Sequence, residues 1–383
     1  MNRVIINLDA IHHNLRTINK WMQRHGAAWT VVTKVCCGHA DTMRALEIFD
    51  VRSIGDSRLE NLQEIKAVVP NIETWYLRMP DMSSTDQVVS LSNVSLNSEI
   101  SVIQALNQEA QRQNKTHRII IMIELGDLRE GILPGSLVEF YKAVFNLSNI
   151  DVLGIGANLG CLAGAVPSVD QFMQLVLYRE LLELKFGRRL PMISGGASVS
   201  IPLVLDGQMP RAINHFRIGE AVFLGTDLLN GGILPELRSD TVMLEAEIVE
   251  IKEKGLYAQV ETGTATPFHT DPIAEVAPGQ RGYRALIAVG QLDTDVEGLT
   301  PEHPDYQIAG ASSDLTVVNI GEEPNGLKVG DSMRFYLSYS AMVRLMGGKY
   351  IPQTVAPPLE AMMDRHISEP AATQVMPAME TLI

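Results

Sequence analysis

Over residues 1–230, short apolar runs alternate with amphipathic stretches. Residues 4–8 read as a strand, and Asp9 reads as the N-cap of a helix with Ile11, Leu15, Ile18 and Met22 on one stripe. Further strands are predicted at 29–33, 51–54, 73–77, 94–96, 119–124, 152–155, 190–193 and 215–218. Helical spacings fall between them, each opening on a capping residue. Asp41 precedes Met43, Leu46 and Phe49; Ser57 precedes Leu59, Leu62 and Ile65; Ser98 precedes Ile100, Ile103 and Leu106. Ser136 precedes Val138 and Tyr141, and Ser168 precedes Phe172, Leu175 and Leu182. Strands that are apolar without alternation are buried on both faces, which means a parallel sheet with helical crossovers. About eight such units predict the α/β class and a (β/α)8 TIM barrel. A doubly wound open sheet is the alternative, since pattern alone does not show closure.

The pattern changes at Asn230-Gly231-Gly232. Beyond it the predicted strands are longer and alternate, at 243–252, 256–261, 284–289, 306–308, 315–320 and 332–338. Turn signals such as Lys254-Gly255 and Asn325-Gly326 separate them, and no long helix intervenes. The expected organisation is therefore a barrel over 8–230, followed by an antiparallel β domain over 231–383 that includes the strand at 1–7. The last stretch, 352–383, is rich in Pro, Ala and Met and predicts irregular structure with one short helix at 359–366.

Composition narrows the partners. The 383 residues exceed one small core, so two domains are expected. A net charge of -14 argues against nucleic acid or an anionic membrane, both of which require clustered Lys and Arg. Cys36, Cys37 and Cys161 have no metal-ligand spacing and no even count, which points to a reducing, cytoplasmic compartment. The N-terminus lacks the apolar core of a signal peptide, and no apolar run reaches membrane-spanning length.

Candidate chemistry gathers at the predicted strand ends, where a barrel keeps its functional groups. Trp29-Thr30-Val31-Val32-Thr33 runs into Lys34, then Val35-Cys36-Cys37-Gly38-His39. A desolvated lysine has a lowered pKa and can form a Schiff base with a carbonyl, as pyridoxal phosphate (PLP) enzymes require. The fifth barrel strand ends in Glu124-Leu125-Gly126-Asp127-Leu128-Arg129-Glu130-Gly131, which places an arginine on a Gly-bounded loop. The sixth ends in Gly156-Ala157-Asn158, and the seventh in Ser194-Gly195-Gly196-Ala197-Ser198. There the glycines expose backbone N–H groups and Ser198 adds a hydroxyl. The eighth ends in Arg217-Ile218-Gly219-Glu220. Loops after strands seven and eight are the usual phosphate site of this fold.

These motifs resemble those of the alanine racemase family, the fold type III PLP enzymes, and most nearly its alanine/ornithine racemase-like subgroup. Ile5-Ile6-Asn7-Leu8-Asp9-Ala10-Ile11-His12-His13-Asn14-Leu15 is similar to the family's first strand and helix, and Val31-Val32-Thr33-Lys34 to its PLP-lysine strand. The resemblance implies that Arg129 binds the substrate carboxylate and that Ser198 and Gly219 hold phosphate. It also implies that Arg217 faces the pyridine nitrogen. Glu220 and Asn158 complete the expected cofactor-binding group, with Tyr339 where a phosphate-binding tyrosine is expected. The loop Gly310-Ala311-Ser312-Ser313-Asp314 resembles the one a partner subunit contributes, so Ser313 and Asp314 are expected at the substrate. A head-to-tail homodimer with shared active sites is implied, acting on a small-molecule amino acid.

Three positions depart from the family pattern. Cys37 stands where a tyrosine precedes Gly-His, Asn158 replaces a stacking imidazole, and Gln291 replaces the tyrosine that serves as second base. Gln is no base, so Asp293 is the favoured second group, ahead of Asp314 and the thiols of Cys36 and Cys37. The implied activity is interconversion of L- and D-amino acids of the ornithine, lysine or alanine type. An acidic residue such as Glu130, Asp293 or Asp295 is compatible with a basic substrate. A decarboxylase of the same fold is one alternative, although no cysteine lies beyond Cys161 to act in the β domain. A non-catalytic PLP-binding protein is another, and usually lacks a β domain. An aldolase of this fold requires a metal site, and no His/Asp/Cys cluster in the sequence supplies one.

Overall fold

The computed structural model describes residues 1–162, 164–256 and 279–368. The chain divides into two compact units: Met1–Ala10 with Ser239–Pro358, and Ile11–Arg238 with the segment that starts at Leu359.

The elements in chain order begin with β1 (Arg3–Asn7), α1 (Leu8–His25) and β2 (Ala28–Val32). Next come α2 (Ala40–Ile48), β3 (Ser53–Asp56), α3 (Leu59–Val68), β4 (Glu73–Tyr76), α4 (Thr85–Leu91) and β5 (Val94–Asn97). They continue with α5 (Ile100–Arg112), β6 (His117–Met122), α6 (Leu137–Val144), β7 (Ile150–Gly156), α7 (Val169–Phe186) and β8 (Met192–Ala197). The barrel ends with α8 (Ile201–Leu205), β9 (His215–Ile218) and α9 (Glu220–Phe223). Strands β2 to β9 close into one parallel barrel, β9 pairing with β2 through Trp29↔Phe216 and Val31↔Ile218. Closure settles the choice against an open sheet.

The barrel interior is filled rather than hollow. Trp75, Val94, Leu96, Ile120, Met122, Leu153 and Met192 form one buried cluster. His215 stacks on Trp75 with ring centroids 4.5 Å apart. The buried Thr30, Ser53 and Ser194 hydroxyls and the Arg217 guanidinium are hydrogen-bonded, as most buried polar groups are.

Several helix starts differ from the sequence reading. Asn7, not Asp9, caps α1: its Oδ1 accepts the Ala10 N–H at 3.1 Å, and Asp9 lies in the first turn. His39, not Asp41, caps α2, its Nδ1 accepting the Thr42 N–H at 3.4 Å. Before α3 the Arg58 N–H goes to Asp56 Oδ1 at 3.0 Å rather than to Ser57, and before α5 Glu99 takes the Ser101 N–H at 3.3 Å. In each case a nearby side-chain acceptor took the place of the expected one. Ser168 does cap α7, in a reciprocal capping box with Gln171. Helix α4 carries only Val88 and Val89 as buried residues, too few for a periodic signal.

The second unit is an antiparallel sheet. It contains β10 (Val242–Gly255), β11 (Arg281–Ile287), β12 (Leu299–Pro301), β13 (Gln307–Ala311), β14 (Thr316–Gly321) and β15 (Ser332–Leu337). Helix α10 (Tyr339–Gly347) and β16 (Gln353–Ala356) follow, and α11 (Leu359–Ser368) closes the described chain. The order is β12-β15-β10-β11-β14-β13, with β1 pairing antiparallel to β10 and parallel to β16. Ser338 caps α10, a helix the sequence reading did not contain. Except for Leu256, the strand expected at 256–261 lies outside the described residues, as does the expected irregular tail from 369 onward.

Candidate active site

Lys34 stands one residue beyond β2, after Thr33, and opens a short 3-10 turn, Lys34–Cys36. The turn is held from below. The Thr33 N–H donates to Gly55 O at 2.9 Å and its hydroxyl to Asp56 Oδ2 at 3.2 Å. Cys37 takes a left-handed conformation (φ 48), which swings the chain away and leaves the Lys34 side chain exposed in the chain alone. Burial raises the Asp56 carboxyl, partly offset by hydrogen bonds from Arg58, Asn61 and Thr33. Burial pushes the Cys36 thiol well up and also raises Cys37, so neither thiol is readily ionised.

Arg217, near the C-terminal end of β9, pairs in register with Thr30 of β2, four residues before Lys34. The arginine is buried, and its guanidinium bonds Ser194 in the neighbouring strand β8 and, beyond it, the residue that follows β7. Nη1 donates to Ser194 O and Ser194 Oγ, each at 2.6 Å, and Nη2 donates to Ala157 O at 2.8 Å. Burial lowers its pKa to about 10, partly offset by Glu130 and Cys161, so it stays protonated at neutral pH.

Ser198 follows β8. Its Oγ accepts the N–H groups of Gly219 and Ala221, both at 3.3 Å. Two backbone donors and a hydroxyl thus converge on one point at the start of α9. At Gly219 a Cβ would come within 2.8 Å of Val32 O, so only glycine lets the backbone approach there. This arrangement suits a phosphate. Glu220 is half-buried; burial raises its carboxyl and the Lys34 ammonium lowers it, which puts the two charges within reach of each other.

Gly195 and Gly196 are not the cradle the sequence suggested. Both lie inside β8, which extends to Ala197. A Cβ on Gly196 would sit 1.8 Å from the Phe216 ring, so that glycine serves packing.

The loop after β6 is organised by two carboxylates that sequence reasoning passed over. Glu124 accepts the N–H groups of Gly126, Leu128 (3.1 Å) and Arg129 (3.2 Å). Asp127, 2% exposed, accepts Cys161 N–H at 3.1 Å, Leu162 N–H at 3.2 Å and Asn158 Nδ2 at 3.3 Å. It ties the Arg129 loop to the Asn158 loop. The available signal was that both acids flank Gly126, where only a side-chain acceptor can satisfy a turn's N–H groups. Arg129 itself is forked onto Glu130, Nη2 to Oε1 at 2.6 Å and Nε to Oε2, and this pairing raises its pKa. Glu130 is therefore engaged by Arg129 rather than standing open to a basic side chain.

The remaining candidates lie in the sheet unit. Asp293 closes a turn, its Oδ2 accepting the Gly290 N–H at 3.0 Å. Gln291 and Leu292 donate to Ser312 O and Ser313 O at 3.0 and 2.9 Å, so the turn lies against the loop that carries Ser313 and Asp314. Asp314 accepts the Ser312 hydroxyl at 3.1 Å. Tyr339 is the first residue of α10 and is half-buried. The structure thus gathers Lys34, Arg129, Asn158, Ser198, Arg217, Gly219 and Glu220 at one end of the barrel, and separately gathers Asp293, Ser313 and Asp314. Among the described residues no helix is long and apolar enough to cross a membrane, and no group of three His, Cys, Asp or Glu could hold a metal ion.

Residues 6–227 match the family model described as alanine racemase, N-terminal domain. The chain is 33% identical to an ornithine racemase from Acetoanaerobium sticklandii over 91% of its own length and 98% of the relative's. It is 31% identical to a lysine racemase from Thermotoga maritima, covering 93% and 98%. Among solved structures it resembles alanine racemase from Streptomyces lavendulae, with TM-score 0.69, 17% identity and coverage of 94% and 98%. It also resembles alanine racemase from Bartonella henselae with covalently bound pyridoxal phosphate, with TM-score 0.67, 17% identity and coverage of 92% and 99%.

Proposed function

We propose, from the premise that the chain belongs to the alanine racemase family and is an amino-acid racemase, that its substrate is a basic amino acid of the ornithine or lysine type and that Lys34 carries its chemistry. The observation that carries the site assignment is the meeting of Lys34, Arg217 and Ser198 at the ends of three adjacent strands, β2, β9 and β8. The substrate class rests on the two curated relatives, an ornithine and a lysine racemase, each matched along nearly its whole length.

The residues fit pyridoxal phosphate. Ser198 Oγ with the Gly219 and Ala221 N–H groups would hold its phosphate, and the Lys34 amine would hold its aldehyde carbon. When bound, the cofactor draws electron density from the substrate Cα and makes that proton removable. Lys34 Nζ takes or returns the proton on one face. Asp293 of a partner's sheet unit serves the other face in place of the missing tyrosine. Arg129, pre-oriented by Glu130, binds the substrate carboxylate through its remaining donor edge, and Ser313 and Asp314 border the substrate. Arg217 is donor-only and cannot hand a proton to the cofactor, so the electron sink stays weak. A weak sink favours return of the proton to Cα over other reactions. Asn158 supplies an amide where an imidazole would stack, and Tyr339 adds a hydroxyl for the phosphate. The assembly is a head-to-tail homodimer with shared sites in the cytoplasm.

Purified protein with pyridoxal phosphate, incubated with ornithine, lysine, arginine, serine and alanine and resolved by chiral chromatography, tests the reading. Racemisation of ornithine or lysine at least tenfold faster than alanine is expected. Alanine as the preferred substrate would overturn the substrate class, and release of carbon dioxide without enantiomer exchange would point to the decarboxylase.

A further inference from the structure

Helix α7 has two apolar faces. Phe172, Leu175 and Leu182 point inward and are fully buried. Met173, Leu177, Leu181 and Leu184 are exposed by 42%, 59%, 47% and 86%. At about 100° per residue, the second set lies roughly 180° from the first. It forms a continuous stripe at i, i+4, i+8 and i+11, directed away from the barrel. The other long barrel helices show nothing like it. The exposed face of α1 carries Arg16, Lys20 and Gln23, and that of α5 carries Gln104, Gln108 and Gln111. A run of exposed leucines rimmed by polar residues marks a surface that another molecule covers.

The charges at the ends of the stripe say which molecule. Asp170 lies on the stripe's own face in the first turn, and Lys185 borders it in the last. Two such helices side by side and parallel would set Asp170 against Asp170 and Lys185 against Lys185. Turned antiparallel, each acid meets the partner's base, Leu177 meets Leu181, Met173 meets Leu184, and the helix dipoles oppose. Such a contact is self-complementary about a two-fold axis, which is the commonest way identical chains associate. We propose that the outer face of α7 is a self-association surface that packs antiparallel against α7 of a second copy of this chain. The stripe spans about 17 Å, so one helix pair buries less than the roughly 1,200 Å² of a strong interface, and the contact is concentration-dependent. It is distinct from the head-to-tail pairing that shares active sites, and it would join two such dimers.

The test is the assembly mass of the full chain across a concentration series, by sedimentation velocity and native mass spectrometry. Wild type is expected at four copies at high concentration, and Leu177→Glu/Leu181→Glu at two, with helix content and turnover unchanged. Wild type at two copies and the variant at one would keep the pairing and remove the shared-site dimer instead. Lys185→Glu alone is expected to weaken the assembly, and Asp170→Lys/Lys185→Glu together to restore it, since each copy presents both ends. Equal masses for wild type and Leu177→Glu/Leu181→Glu would overturn the proposal. So would failure of the double charge reversal to restore the mass while helix content is intact.

Discussion

Arg217 donates to the Ser194 hydroxyl at 2.6 Å, and that contact anchors a buried chain of hydrogen bonds. A guanidinium can only donate, so Ser194 Oγ accepts. The same Oγ bonds His215 Nδ1, 2.8 Å away. Burial lowers the His215 pKa to about 3, with Arg217 adding to the effect, so the ring is neutral. His215 Nε2 lies 3.1 Å from Thr30 Oγ1, which lies 2.8 Å from Ser53 Oγ. Four side chains on β8, β9, β2 and β3 therefore form a connected network behind the arginine.

Ser194→Ala breaks this chain at its second link. His215 Nδ1 and one Arg217 donor lose their partner inside the barrel, which costs about 1–3 kcal/mol for an unsatisfied buried group. Urea unfolding should register a loss of that size, and titration with pyridoxal phosphate should show weaker binding. Wild-type values in both would mean that the hydroxyl orders nothing.

Acid should weaken the fold through two histidines. Burial holds His215 at about 3 and His117 at about 4, against 6.5 for the free side chain. Between those values and 6.5 the unfolded chain binds protons that the folded chain does not. Stability is therefore full above pH 6.5 and falls as pH drops, by up to about 1.4 kcal/mol per pH unit per histidine. Denaturant unfolding at pH 7, 6 and 5 measures the slope. His215→Phe should remove about half of it; an unchanged slope would contradict the assignment.

Two neighbouring substitutions separate packing from phosphate binding. Gly196→Ala drives a methyl into the Phe216 ring and should destabilise by about 1–3 kcal/mol or more, as overpacking does. Ser198→Ala leaves the buried Gly219 and Ala221 N–H groups without their acceptor, which should cost about 1–3 kcal/mol, and should also raise the cofactor dissociation constant about 10–100-fold, whereas Gly196→Ala should leave the affinity of the folded protein unchanged. The reverse pattern in cofactor titration would restore the glycine pair as the cradle.

The parallel α/β layout was legible because eight strands of continuous apolar residues need cover on both faces, their number suggested a barrel whose closure only the structure supplied, and Lys34 stood out because a cation ending such a strand requires a reason. The misread glycines have a different cause. A glycine freed for a ligand and a glycine emptied for a ring look alike in one dimension, and only the register of Gly196 against Phe216 tells them apart. Asp127 was missed because its partners, Asn158, Cys161 and Leu162, lie more than thirty positions away and on another loop. Helix caps were misassigned by a short offset: Asn7 and His39 each stand two residues before the acid that composition favoured.

Asp293→Asn isolates the second face. The variant should lose about 10²–10⁴ of racemisation rate, the usual contribution of a positioned acid or base. It should still exchange the Cα proton of one enantiomer for solvent deuterium through Lys34, read by NMR. Racemisation at the wild-type rate would remove Asp293 from the reaction.

The proposed attachment of the cofactor to Lys34 is decided by borohydride reduction of the loaded enzyme followed by peptide mass spectrometry. A pyridoxyl group on Lys34, absent from the Lys34→Ala variant, is the expected result. A pyridoxyl group on any other lysine, or none in wild type, would contradict it.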